Sequence, residues 1–170
     1  MLWFTCLVAA VAVERLVELI VATRNLAWSR SRGGIEYGAG HYFPMVLLHT
    51  ALLVGCVVEV WTRRPQFLPE LGWTMVGFVL LAQALRWWCI STLGYQWNTR
   101  IIVVPGATRV RAGPYRIMAH PNYVAVVVEG IALPLVYSAW ITAVVFTVLN
   151  AFLLFVRIRT EEAALESTLA

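Results

Sequence analysis

Five apolar runs, near residues 2–22, 43–61, 71–91, 122–137 and 140–158, leave this chain few ways to fold. A bilayer core of about 30 Å is crossed by about 20 apolar residues wound as helix. Inside it every backbone polar group must be paired within the chain, so apolar runs of this length read as helices. Composition agrees: 61% of the residues are hydrophobic, 13% are charged and mean hydropathy is +0.76. A soluble domain is nearer a quarter charged. The sequence predicts an all-α integral membrane protein of about five transmembrane helices, forming a single domain over 1–170. The first run has no basic segment before it and continues past Glu14 and Arg15 for a full span, so it reads as a membrane helix rather than a leader peptide.

All 13 basic residues are arginine, and they cluster at the ends of the runs. With the N-terminus outside, Arg24, Arg30, Arg32, Arg100, Arg109, Arg111, Arg116, Arg157 and Arg159 fall on the cytoplasmic side. Only Arg63 and Arg64 fall outside, and Arg15 and Arg86 lie within spans. The positive-inside rule then selects N-out, C-in. The arginines are not interleaved with aromatics into a basic face, which argues against a nucleic-acid surface. Cys6, Cys56 and Cys89 sit within apolar runs with no CxxC spacing, so they read as small hydrophobes and neither a disulfide framework nor a metal site is expected.

The spans are not uniformly apolar. Glu14, Glu18 and Asn25 share one helical face, and Arg15 and Glu18 stand at i, i+3 where they can pair. Glu129 is placed either to pair with Arg86 or to assist chemistry. Ionisable groups at this depth face the protein interior or a cavity, or else emerge with an early helix end. His49 reads as a packing residue of the second span. Residues 23–42 read as an irregular, glycine-rich connector, and Ile101–Val104 as a brief extended segment. Pro134 and the turn Ser138-Ala139-Trp140 make the last two runs a tight helical hairpin.

The densest polar stretch runs from Gly113 to Tyr123, GPYRIMAHPNY, directly before the fourth run. Its two prolines fix the backbone, and the residue before a proline is pushed out of the helical region. This places His120 just outside a helix whose first turn holds Pro121 and Asn122. On composition the stretch is either a polar binding site or an interfacial connector with tyrosines in the aromatic belt. The topology puts it on the cytoplasmic side with the tail Arg157-Ile158-Arg159-Thr160-Glu161-Glu162.

Gly113-Pro114-Tyr115, His120-Pro121-Asn122-Tyr123, Glu129, Pro134 and the Arg157–Glu162 tail together resemble the isoprenylcysteine carboxyl methyltransferase family, over Leu93 to Leu165. The paired motif, HP-x-Y followed some 38 residues later by R-x-x-x-E-E, carries the resemblance. It implies an S-adenosylmethionine-dependent enzyme whose cofactor pocket is built by residues 93–165 and faces the cytosol. Cofactor contacts carried over onto this chain are Gly113, Tyr115, Arg116, His120, Pro121, Tyr123 and Glu162. Arg157 is implied to hold the acceptor oxygen, with Glu161 orienting it or acting as base. The family pattern has arginine before His-Pro; here that position is Ala119, and Arg116 is the nearest substitute.

The short length and the Gly113-Pro114-Tyr115-Arg116 start resemble a small bacterial branch that methylates alkylresorcinol or alkylpyrone lipids, which implies a lipophilic acceptor, contact with membrane lipid and a place in the bacterial inner membrane. Phospholipid N-methylation, a sterol-type reductase using NADPH, and a non-catalytic membrane scaffold remain as other readings.

Overall fold

The computed structural model describes residues 1–167, so residues 168–170 of the expected domain lie outside the described residues. Five α-helices dominate: α1 (Leu2–Ser31), α2 (Tyr42–Arg63), α3 (Pro69–Leu93), α4 (Pro121–Leu135) and α5 (Trp140–Ser167). Two short strands, β1 (Ile35–Tyr37) and β2 (Ile101–Val103), pair antiparallel with Glu36 opposite Ile102. The second strand is the extended segment expected near Ile101; its partner lies in the connector that reads as irregular in the sequence.

Helix α1 runs nine residues beyond its expected end at Ala22. Its buried positions explain why. Phe4, Val8, Val11, Glu18, Ala22, Asn25 and Ser29 follow a three-and-four spacing and form one inward stripe. Asn25 donates from Nδ2 to the carbonyls of Gly94 (3.1 Å) and Trp97 (2.7 Å), so a polar face is anchored where the apolar run stops. Just past the helix end at Ser31, Gly33 takes a φ of +75°, which suits a residue without Cβ.

Three helices, α2, α3 and α5, are long and apolar enough to cross a membrane. The chain is an integral membrane protein on this ground. Of the five expected spans, α1 and α4 fall short of that standard for identifiable reasons. In α1, Glu14, Arg15 and Glu18 interrupt the apolar run. With 15 residues, α4 is about 22 Å long at 1.5 Å per residue.

Those α1 charges are turned inward. Arg15 pairs with Glu18 (2.6 Å) and Glu129 (2.7 Å), and Arg86 pairs with Glu129 and faces Glu18 at 3.4 Å. All four are buried or nearly so, and their charges cancel. The expected Arg15–Glu18 and Arg86–Glu129 pairs thus belong to one cluster joining α1, α3 and α4. A second buried carboxylate, Glu59 of α2, accepts from the backbone amides of Ile141 (3.1 Å) and Thr142 (2.8 Å) and from the Thr142 hydroxyl (2.7 Å). It caps the start of α5 from another helix.

The α4–α5 hairpin forms as expected. Pro134 is buried inside α4, its carbonyl accepts from the Ala139 amide (2.9 Å), and Ser138 takes φ +55° to reverse the chain. The two helices pack so closely at Gly130 that any larger residue there would overlap the Phe146 ring. At this end Trp3, Phe67, Trp73 and Tyr137 form one aromatic group. The strand pair and the polar loops occupy the opposite end, with Arg100 bonded to Glu36 (2.6 Å) and lying over the Tyr42 ring.

Candidate active site

Helix α4 begins at Pro121 with His120 just before it at φ −130°, ψ 61°, as the proline pair dictates. His120 stacks on Tyr123, one turn into α4, with ring centroids 5.3 Å apart. Upstream, Gly113 to Arg116 form a single 3-10 turn. Gly113 stands at φ +52°, and a Cβ there would lie 2.6 Å from the Thr92 hydroxyl. The backbone is therefore held against α3, which aims Tyr115 inward.

The C-terminal helix brings its motif to the same place. Arg157 is 6% exposed. Its Nε donates to the Tyr123 hydroxyl (3.0 Å), Nη2 to the Thr99 carbonyl (2.6 Å) and Nη1 to the Met45 sulfur (3.0 Å). A guanidinium has five N–H groups, so two remain without a partner among these contacts. Tyr123 in turn donates its hydroxyl to Glu161. His120 lies 3.9 Å from Glu161 and 3.5 Å from Glu162. Burial, with Cys89 beside it, pushes the Tyr115 phenol well above its ordinary pKa, so it stays protonated.

Two cavities meet at Arg157. The first, about 140 Å³, is lined by Tyr115, Ala119, His120, Tyr123, Arg157 and Glu161, together with β2 and the loop before it. The second, about 160 Å³, runs along α5 between Leu153, Leu154 and Asn150, with Leu19, Val46, Leu53 and Val126 around it. Trp97, Asn98, Asn122, Tyr123 and Arg157 line both. One chamber is therefore polar and aromatic, the other largely apolar, and a buried arginine stands in the common wall.

Five of the nine expected site residues line the first cavity: Tyr115, His120, Tyr123, Arg157 and Glu161. Gly113 and Pro121 shape the backbone beside it, Pro121 being fully buried. Arg116 and Glu162 are exposed and do not line it. Ala119, the position where the family pattern has arginine, does. Sequence reasoning missed Trp97, Asn98 and Thr99, which sit in a connector without spacing signals, and Met45. His49, which reads as packing in the sequence, does stand edge-on to the Phe146 ring, and it also lines the second cavity.

The donor set fits a zwitterionic, nucleoside-bearing sulfonium. Trp97 Nε1, Asn98 Nδ2 and Asn122 Oδ1 are buried with no protein partner, and all three residues line the first cavity. Buried polar atoms without partners are costly, so three at one cavity suit a ligand rich in hydroxyls and ring nitrogens. Aromatic faces and a carboxylate for its positive groups lie alongside.

An uncharacterized protein from Bacillus subtilis (strain 168), YpbQ, is 39% identical over 164 residues, spanning 96% of each chain. An uncharacterized protein from Haemophilus influenzae is 26% identical over 168 residues, covering 97% of this chain and 96% of its own. The family model for isoprenylcysteine carboxyl methyltransferase (ICMT) matches residues 75–167, which contain α4, α5 and every residue of the site motif. The chain belongs to the ICMT family of membrane methyltransferases, whose methyl donor is S-adenosylmethionine.

Proposed function

We propose that this protein transfers a methyl group from S-adenosylmethionine to an oxygen of a lipophilic acceptor, at the cytosolic face of a bacterial inner membrane. One observation carries the reading: a polar, aromatic cavity and an apolar one share a wall that contains the buried, multiply held Arg157. Two reactants of opposite character need such neighbouring chambers, with their reacting atoms meeting at the partition.

The bound cofactor supplies an electrophilic methyl on a positively charged sulfur. The chain's residues supply the rest. The faces of Tyr115 and Tyr123 attract the cation, each contact contributing about 0.5–2 kcal/mol depending on desolvation. His120 and the backbone amide of Asn122 at the start of α4 meet the cofactor carboxylate. Glu161 meets its ammonium or ribose hydroxyls. Arg116 and Glu162 are assigned to the same groups on the family motif, since neither lines the cavity, and Gly113 and Pro121 set the backbone on which the others stand.

Arg157 holds the acceptor oxygen. Its Nε and one N–H on each Nη are engaged, so the two remaining N–H groups are available to an oxygen bearing negative charge. Glu161 acts on it through Tyr123, whose hydroxyl donates to Glu161 and accepts from Arg157. With the cofactor bound, these residues would line up the acceptor oxygen, the methyl carbon and the sulfur for an in-line displacement. Alignment of the three atoms is worth about 7–11 kcal/mol in favourable cases. The apolar cavity fits the acceptor's chain, which suits a polyketide-type phenol or pyrone lipid or a prenylcysteine-like carboxylate.

The test is calorimetry on the purified protein in detergent. S-adenosylmethionine should bind and NADPH should not. Glu161→Ala should lose turnover while the fold persists. Binding of NADPH alone would point to a reductase, and binding of neither to a scaffold. A reporter fused at Ala170 should be cytoplasmic; an extracytoplasmic signal would overturn the assigned orientation.

A further inference from the structure

The acceptor cavity contains a histidine with no structural duty on one of its nitrogens. His49 lies on α2, one turn after Met45, and lines the apolar chamber. Its Nδ1 is 2.8 Å from the Met45 carbonyl oxygen. A carbonyl only accepts, so Nδ1 carries the proton and Nε2 is left as a lone-pair acceptor. The same Met45 holds Arg157 through its sulfur. One residue thus fixes both the arginine proposed to hold the acceptor oxygen and the orientation of the imidazole one turn away. The remaining ionisable groups of the chamber are Tyr123, whose hydroxyl is engaged by Glu161 and Arg157, and Arg15, Glu18 and Arg86, with Glu129 behind them, which are locked in ion pairs. Glu161 lines only the cofactor-side cavity.

We infer that His49 is the general base for a hydroxyl-bearing acceptor, taking the O–H proton on Nε2 as the oxygen attacks. This rests on the methyl-transfer reading above and deepens it. The acceptor's O–H bond breaks toward Nε2, the oxygen–methyl bond forms, and the electron pair of the broken carbon–sulfur bond stays on sulfur. The imidazolium returns its proton to solvent when product leaves. A carboxylate acceptor arrives without a proton to remove and needs no such base. Of the two acceptor classes proposed above, only the hydroxyl-bearing one makes use of this base.

The experiment compares two acceptors, a long-chain 3-alkylphenol and a long-chain carboxylate, in wild type, His49→Gln and His49→Leu, with S-adenosylmethionine binding measured for each. General bases contribute about 100-fold or more. Both variants should bind cofactor within twofold of wild type, lose about 100-fold in kcat on the alkylphenol, and lose at least about tenfold less on the carboxylate. In wild type, alkylphenol methylation should slow in D2O under single-turnover conditions. An equal loss on both acceptors, alkylphenol turnover retained in the variants, or a wild type that binds cofactor and methylates no hydroxyl overturns the assignment. If the variants do not fold, the absence of a solvent isotope effect in wild type overturns it. Failure of wild type to bind cofactor brings down the methyl-transfer reading itself.

Discussion

Replacing Glu129 by leucine perturbs the cluster that joins α1, α3 and α4 at membrane depth. In the folded protein Glu129 accepts from Arg15 at 2.7 Å and from Arg86, and its side chain is 6% exposed. The cluster balances two arginines against Glu18 and Glu129. Removing one carboxylate leaves a buried positive charge that Glu18 alone must neutralise, at 2.6 Å from Arg15 and 3.4 Å from Arg86. Breaking a buried pair from one side costs about 3–5 kcal/mol. For a chain of this size that is a fall in Tm of about 6–20 °C. The double variant Arg86→Met with Glu129→Leu removes one charge of each sign and keeps the Arg15–Glu18 pair. It should recover more than half of the loss, because well-packed apolar replacement of a whole pair is close to neutral. The assay is thermal unfolding in detergent, followed by circular dichroism, on wild type and both variants. A single-variant shift under about 2 °C, corresponding to less than about 1 kcal/mol, would refute the closed cluster. So would a double variant less stable than the single one.

Three further outcomes are expected. Glu59→Ala should lower stability by about 1–2 kcal/mol in the same assay, since α5 loses its cap, and Glu59→Gln should retain most of it. Gly130→Ala should destabilise by about 1–3 kcal/mol through overlap with Phe146, and adding Phe146→Leu should relieve part of that. Tyr115 has its pKa raised above 10 in the folded state. Its contribution is therefore complete below pH 10 and lost as pH rises beyond it, because the unfolded chain gives up the proton first. Tyr115→Phe should show a shallower alkaline loss in a Tm-versus-pH series.

Much of this architecture is legible in the sequence. Apolar runs mark the helices, and α4 ends where Pro134 and Ser138 require. Arg15, Glu18, Arg86 and Glu129 can be paired because charges at membrane depth have few alternatives. The positive-inside pattern puts His120, Tyr123 and Arg157 at one end of the bundle. What escapes the sequence depends on contacts made across the fold. The last turns of α1 carry Arg24 and Ser29, which read as connector, although Asn25 shares a helical face with Glu14 and Glu18; the extension is fixed only when Asn25 meets the carbonyls of Gly94 and Trp97. Strand β1 is three residues long and exists only against β2. Asn98, Thr99 and Met45 carry no local pattern, and His49 looks like packing until the cavity beside it is formed by α1, α4 and α5. Arg116 reads as a substitute for the arginine absent at Ala119; the 3-10 turn leaves it exposed and away from the cavity lining.

The most direct test of the account is to incubate membranes containing the protein with S-adenosylmethionine carrying an isotope-labelled methyl group, and to analyse the extracted lipids by mass spectrometry. One labelled methyl is expected on an oxygen of a long-chain acceptor, lost when Arg157 is replaced by methionine. Label on a headgroup amine, or no labelled lipid from a protein that binds the cofactor, would contradict it.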